Sequence, residues 1–265
     1  MFYKLGAALA IAGLLIGGPI AAQAQTGISV NFVGNNSVGN EILPGQTAGV
    51  VPFANFNNDF GGGVGTIGGD AASGSTVVDS AGTPTGATVT YNAGDSNVNS
   101  VDQTSANNRL MNGYIDSGAA TLASSNTATT ISVAGIPTSF PTYSVYVYFF
   151  NGAATTGTYT IAPTTGGTGA ATTTVTGLTG FTGFQQAMTG GSGNYFVFSG
   201  LTGTGFDLTA TSLDTTNGAP INGFQIVGTP VAAPEPAGFV PVLLGTALLG
   251  GLIAARRRPT TASAR

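Results

Sequence analysis

The chain has 265 residues, 42% of them hydrophobic, enough for one large or two small domains with a sizeable core. Charged residues make up only 6%, against about 25% in an ordinary soluble domain. Cysteine, histidine and tryptophan are absent, which excludes a thiol nucleophile, a disulfide, a zinc site of the usual ligands and a Ser-His-Asp triad. The net charge of −4 excludes nucleic-acid binding through a basic surface.

Residues 1–24 read as a secretory signal helix. Lys4 supplies a positive start, an apolar run covers residues 5–16, and Gly17, Gly18 and Pro19 then break the helix. Ala22 and Ala24 place small residues at both recognition positions, so cleavage is expected before Gln25. An uncleaved anchor is the weaker reading, because the run is short for a bilayer.

Residues 25–230 read as one all-β extracellular domain, an antiparallel β-sandwich or jelly roll. No segment there sustains apolar residues at i, i+3, i+4 and i+7 without glycine, so no helix is expected. Strands are expected at 28–33, 75–79, 87–91, 130–133, 143–150, 157–161, 195–198, 206–210 and 224–227, separated by turn-rich stretches such as Asn217-Gly218. The segment 143–150 is the strongest. Alternation puts Tyr143, Val145, Val147 and Phe149 on one face and Ser144, Tyr146, Tyr148 and Phe150 on the other. Both faces are apolar enough for a central strand covered on both sides. Between residues 25 and 233 Arg109 is the sole cation against nine acids, a net −8. Such a body is a poor partner for nucleic acid or anionic lipid.

Three stretches of the body carry candidate sites. The aromatics Phe53, Phe56 and Phe60 lie among Asn55, Asn57 and Asn58; they suit a ligand loop, but plugging the end of a sandwich is the better expectation. Asp95, Asn97, Asn99 and Asp102 resemble half of a calcium loop, yet Ser100 and Ala106 stand where an EF-hand needs glycine and glutamate. No metal, cofactor or catalytic residue is expected. The densest polar constellation runs from Asn107 to Asp116. Arg109 offers a rigid donor fork to sugar hydroxyls or a carboxylate, Tyr114 a ring to stack on a sugar, and Asp116 a further polar contact. The plainer alternative, which we favour, is a structural ion pair of Arg109 with Asp116 or another acid.

Residues 231–265 form a tripartite tail. Pro234-Glu235-Pro236 precedes an apolar run, 237–255, and then Arg256, Arg257 and Arg258. At about 1.5 Å per residue the run just spans a hydrocarbon core of about 30 Å. The arginines hold its end on the cytoplasmic side, in agreement with a signal that exports the body. The prolines keep the box extended and readable by an enzyme.

This tail resembles the PEP-CTERM sorting signal: a Pro-Glu-Pro box, one membrane helix and a basic cluster, all in order. The resemblance implies processing near the box by a membrane transpeptidase-like exosortase. It also implies a Gram-negative envelope and a link to exopolysaccharide or biofilm. The body more distantly resembles galactose-binding-like and malectin-like jelly rolls, in the opening Ile28-Ser29-Val30-Asn31-Phe32, the strand 143–150 and the closing stretch from Ala219 to Val227. Those domains commonly bind carbohydrate. The expectation is therefore a non-enzymatic exported protein, transiently anchored in the inner membrane and then at the cell surface or outside it, with a structural or adhesive role. A carbohydrate-binding module is the alternative and a glycan-active enzyme the third choice.

Overall fold

The computed structural model describes residues 25–34, 39–60, 64–67, 76–118, 127–164 and 166–229. The expected signal helix with Ala22 and Ala24, and the expected sorting tail with Pro234, Glu235, Pro236 and Arg256 to Arg258, lie outside these residues. Among the described residues no helix is long and apolar enough to cross a membrane.

The first half of the body forms β1 (Gly27–Phe32), β2 (Asn57–Asp59), β3 (Val64–Ile67), β4 (Thr88–Asn92), β5 (Asp95–Val98), the short helix α1 (Ala106–Leu110), β6 (Gly113–Asp116) and β7 (Ala128–Ala134). The second half forms β8 (Tyr143–Tyr148), β9 (Thr156–Pro163), β10 (Ala171–Gly177), β11 (Ser192–Gly193), β12 (Tyr195–Leu201), β13 (Gly205–Ser212) and β14 (Gly223–Gly228). One sheet has the order β12-β8-β14-β1-β2 and the other β11-β10-β9-β13-β7-β4-β3, while β5 and β6 pair as a separate ribbon. Neighbours are antiparallel except β1 with β2 and β10 with β11.

The protein is thus all-β and sandwich-like. One hydrophobic core takes side chains from both large sheets, among them Val30, Val145 and Ile226 from one and Val133, Ile161 and Leu208 from the other. Aromatic rings lock across the interface: Phe149 lies 5.6 Å from Tyr159, and Phe32 meets Tyr91 edge-on at 5.2 Å. The seven-stranded sheet keeps a solvated outer face, so β7 alternates buried Thr129, Ile131 and Val133 with exposed Thr130, Ser132 and Ala134. On that face threonines pair across strands, as in Thr158 with Thr174 at 3.0 Å.

The five-stranded sheet is covered on both faces. Strands β1 and β14 are buried along their whole length. As alternation in 143–150 predicts, Tyr143, Val145, Val147 and Phe149 enter the main core, whereas Tyr148 and Phe150 enter a second cluster with Ile42, Ala48, Phe56, Leu110 and Met111. The segment 39–60, α1 and the segment 181–195 build this outer layer.

Two expectations need correction. Among its described residues the body holds one helix: Ser105 caps α1 by accepting from the Asn108 N–H at 3.1 Å, and five residues are too few to display a helical period. Of the expected strand at 75–79, residues 76–79 are described and form only isolated bridges, Val78 with Pro84 and Asp79 with Ile28. The Asn57 amide donates to the Val78 carbonyl and accepts from its N–H, both at 2.9 Å, in place of a neighbouring strand. Asp79 then accepts from the N–H groups of Ala81 and Thr83, which turns the chain at once.

Candidate functional site

The constellation from Asn107 to Asp116 sits where β1 ends and β14 begins. Asn222, just before β14, donates through its buried amide to the carbonyls of Met111, at 3.2 Å, and Gly113, at 2.8 Å. Gly113 is required there, because a Cβ would lie 2.1 Å from the Val33 carbonyl oxygen. The amides around it are consumed in holding loops. Asn112 donates to Asn40 Oδ1 at 2.6 Å and accepts from the Val101 N–H. Asn107 accepts from Gly49 N–H at 3.0 Å, and Asn99 donates to Met111 and Phe150 carbonyls.

Arg109 and Asp116 serve different loops. The Arg109 guanidinium donates to the Gln103 carbonyl at 3.0 Å, the Gln46 side-chain oxygen at 3.0 Å and the Glu41 carbonyl at 3.4 Å. These hydrogen bonds go to neutral oxygens, not to Asp116, and tie the 41–46 loop to α1. Asp116 is buried at the end of β6, directly across the ladder from Asp95. Its carboxylate accepts from Gly118 N–H at 2.8 Å and packs against Gly218, where a Cβ would fall 2.5 Å from its carboxyl carbon. Burial, and then the Asp95 charge, push its carboxyl above the ordinary carboxylate value, against the Gly118 hydrogen bond. Tyr114, half-buried on the same strand, is pushed up to about 12 by burial and by the charges of Asp116 and Asp95.

The calcium-like stretch folds otherwise than as a ligand loop. Asp95 opens β5 and accepts from Ser96 N–H and the Asn97 amide. Asp102 accepts from Thr104 and from the Asn108 amide ahead of α1, and these bonds hold its carboxyl below the usual range. Among the described residues no group of three or more acidic side chains could hold a metal ion. Of the three phenylalanines, Phe53 and Phe56 are buried as expected, whereas Phe60 is 42% exposed.

An aromatic shelf that the sequence reading did not single out lies on the outer face of the five-stranded sheet. Tyr146 of β8 and Tyr195 of the edge strand β12 are nearly parallel, 22° apart with centroids at 6.5 Å. Phe184, from the loop before β11, stands perpendicular to Tyr195 at 6.3 Å. Phe181 packs edge-on against Phe184 at 5.4 Å. All four rings are partly exposed while resting on the second cluster. The alternation of 143–150 signalled Tyr146; nothing in the glycine-rich stretch before Tyr195 signalled that Phe181 and Phe184 would fold onto it.

No family model, no curated protein and no solved structure matches the chain.

Proposed function

We propose that the protein is an exported envelope or matrix protein whose tail is a PEP-CTERM sorting signal. A signal peptide delivers the chain. The 237–255 helix inserts, the Pro234-Glu235-Pro236 box is presented outside the inner membrane, and an exosortase-type enzyme releases the acidic body to the surface or beyond. The body, of jelly-roll type, has a structural or adhesive role linked to exopolysaccharide or biofilm.

The order of box, apolar run and arginine cluster carries this reading. The geometry of the body suits it. The chain enters and leaves at one end: Gly27 pairs with Val227, and Gly228 N–H donates to the Thr26 carbonyl at 3.2 Å. A tail held in a membrane would keep that end at the bilayer. The end built by residues 111–113 and 222–223 would then face outward.

Replacing Glu235 with Gln, or Arg256, Arg257 and Arg258 with Ala, is expected to leave precursor of full tail mass in the membrane fraction. Mature protein of normal mass from both variants rejects the sorting role. A carbohydrate-binding body is the second reading, and the Tyr146–Tyr195 shelf favours it.

A further inference from the structure

Tyr146 and Tyr195 are diagonal neighbours on one face, since Tyr195 pairs with Tyr148 and Val197 with Tyr146. Their near-parallel rings stack on one another, and the Phe184 ring stands perpendicular to Tyr195. Behind them Tyr148 lies 5.2 Å from Phe184 and is fully buried, so the ring cluster rests on a fixed support. Gln185 and Gln186 are exposed on the same loop, and Gln186 bridges to Tyr195.

We infer that this shelf binds a neutral polysaccharide chain, its sugar rings packing on the exposed parts of Tyr146, Tyr195 and Phe184. The inference rests on the carbohydrate-binding reading of the body and not on processing of the tail. Ring faces carry negative quadrupole charge and attract the weakly positive C–H faces of a pyranose. Phenol hydroxyls and exposed glutamine amides at the rim supply both donors and acceptors, which a polyhydroxylated chain can use. Charge selects among glycans. Neither β8, β12 nor the segment 178–194 contains a charged residue to receive a carboxylate or sulfate. The net −8 of the body further repels a polyanion.

The test titrates the full chain, in a detergent without a sugar headgroup, with cellohexaose, laminarihexaose, mannohexaose and hexagalacturonate by calorimetry. At least one neutral hexamer is expected to bind, and hexagalacturonate is not. Tyr195→Ala should weaken that binding roughly tenfold, as for loss of one aromatic contact, and Tyr195→Phe should retain most of it. Tyr146→Ala provides a second removal should Tyr195→Ala melt early. Three results overturn the inference: no binding of any neutral hexamer, preference for hexagalacturonate, or affinity unchanged in both alanine variants. Such a failure leaves the sorting reading standing, because that is read from the mass of the membrane-bound form.

Discussion

Tyr148→Phe isolates the contact that fastens the outer layer to the five-stranded sheet. The Tyr148 hydroxyl donates to Gln225 Oε1 and accepts from the Val50 N–H at 2.8 Å. Gln225 is fully buried and also donates to the Val51 carbonyl at 2.9 Å, so one hydroxyl and one amide hold the 48–51 turn. Removing the hydroxyl leaves Gln225 Oε1 without that donor in a dry site, which costs about 1–3 kcal/mol. Val50 is half-exposed, so its N–H recovers a bond to water and adds little. A net loss of about 2 kcal/mol should lower the melting temperature by about 4–8 °C for a body of this size. Urea denaturation followed by circular dichroism measures it, with hydrogen exchange at Val50 as the local readout. Tyr146→Phe, altering a partly exposed hydroxyl, is the control. A cost for Tyr148→Phe below about 0.5 kcal/mol, the ordinary scatter of surface changes, would refute the reasoning.

Gly113→Ala meets backbone on every near approach, the Val33 carbonyl at 2.1 Å and the Phe32 oxygen at 2.3 Å, so no rotamer change relieves it. It should cost at least the upper part of the about 1–3 kcal/mol typical of overpacking, while Gly180→Ala, with nothing within 4 Å, should melt as the parent does. Asp116 gives the body a pH dependence of unusual sign. Its folded carboxyl is held above the unfolded 3.8, so the folded state binds the proton more tightly. Its contribution therefore grows as pH falls through the folded value towards 3.8 and is a penalty at neutral pH. Asp116→Asn should raise the melting temperature at neutral pH, with an advantage that shrinks on acidification; an advantage that grows on acidification contradicts the burial argument.

The strands with strict two-residue alternation were legible: 130–133, 157–161 and 206–210 each lie within an observed strand, and the two-sided burial of β8 followed from its pattern alone. Short polar strands were not. Asn57–Asp59 and Asp95–Val98 carry turn-forming residues, and their place in the sheets comes from partners distant in sequence. Strand β10 is five-sevenths Thr or Val, but glycine-rich flanks hid it. The constellation from Asn107 to Asp116 was visible as a polar cluster, yet its division between two loops was not, because Gln46 and Glu41, which receive Arg109, lie more than sixty residues upstream. The aromatic shelf was half legible, since Tyr146 follows from alternation and Phe184 joins it only through the loop's tertiary course.

The first strand of the body hydrogen-bonds to its last, and Ser29 and Gln225, which face one another, are separated by 196 positions. β1 cannot complete its sheet until β14 has been synthesised, and β8 likewise waits for its β14 neighbour. Folding of the five-stranded layer is thus a late, slow event dominated by long-range closure. A chain that stays open until its final segment arrives remains threadable through a narrow conduit for nearly its whole length.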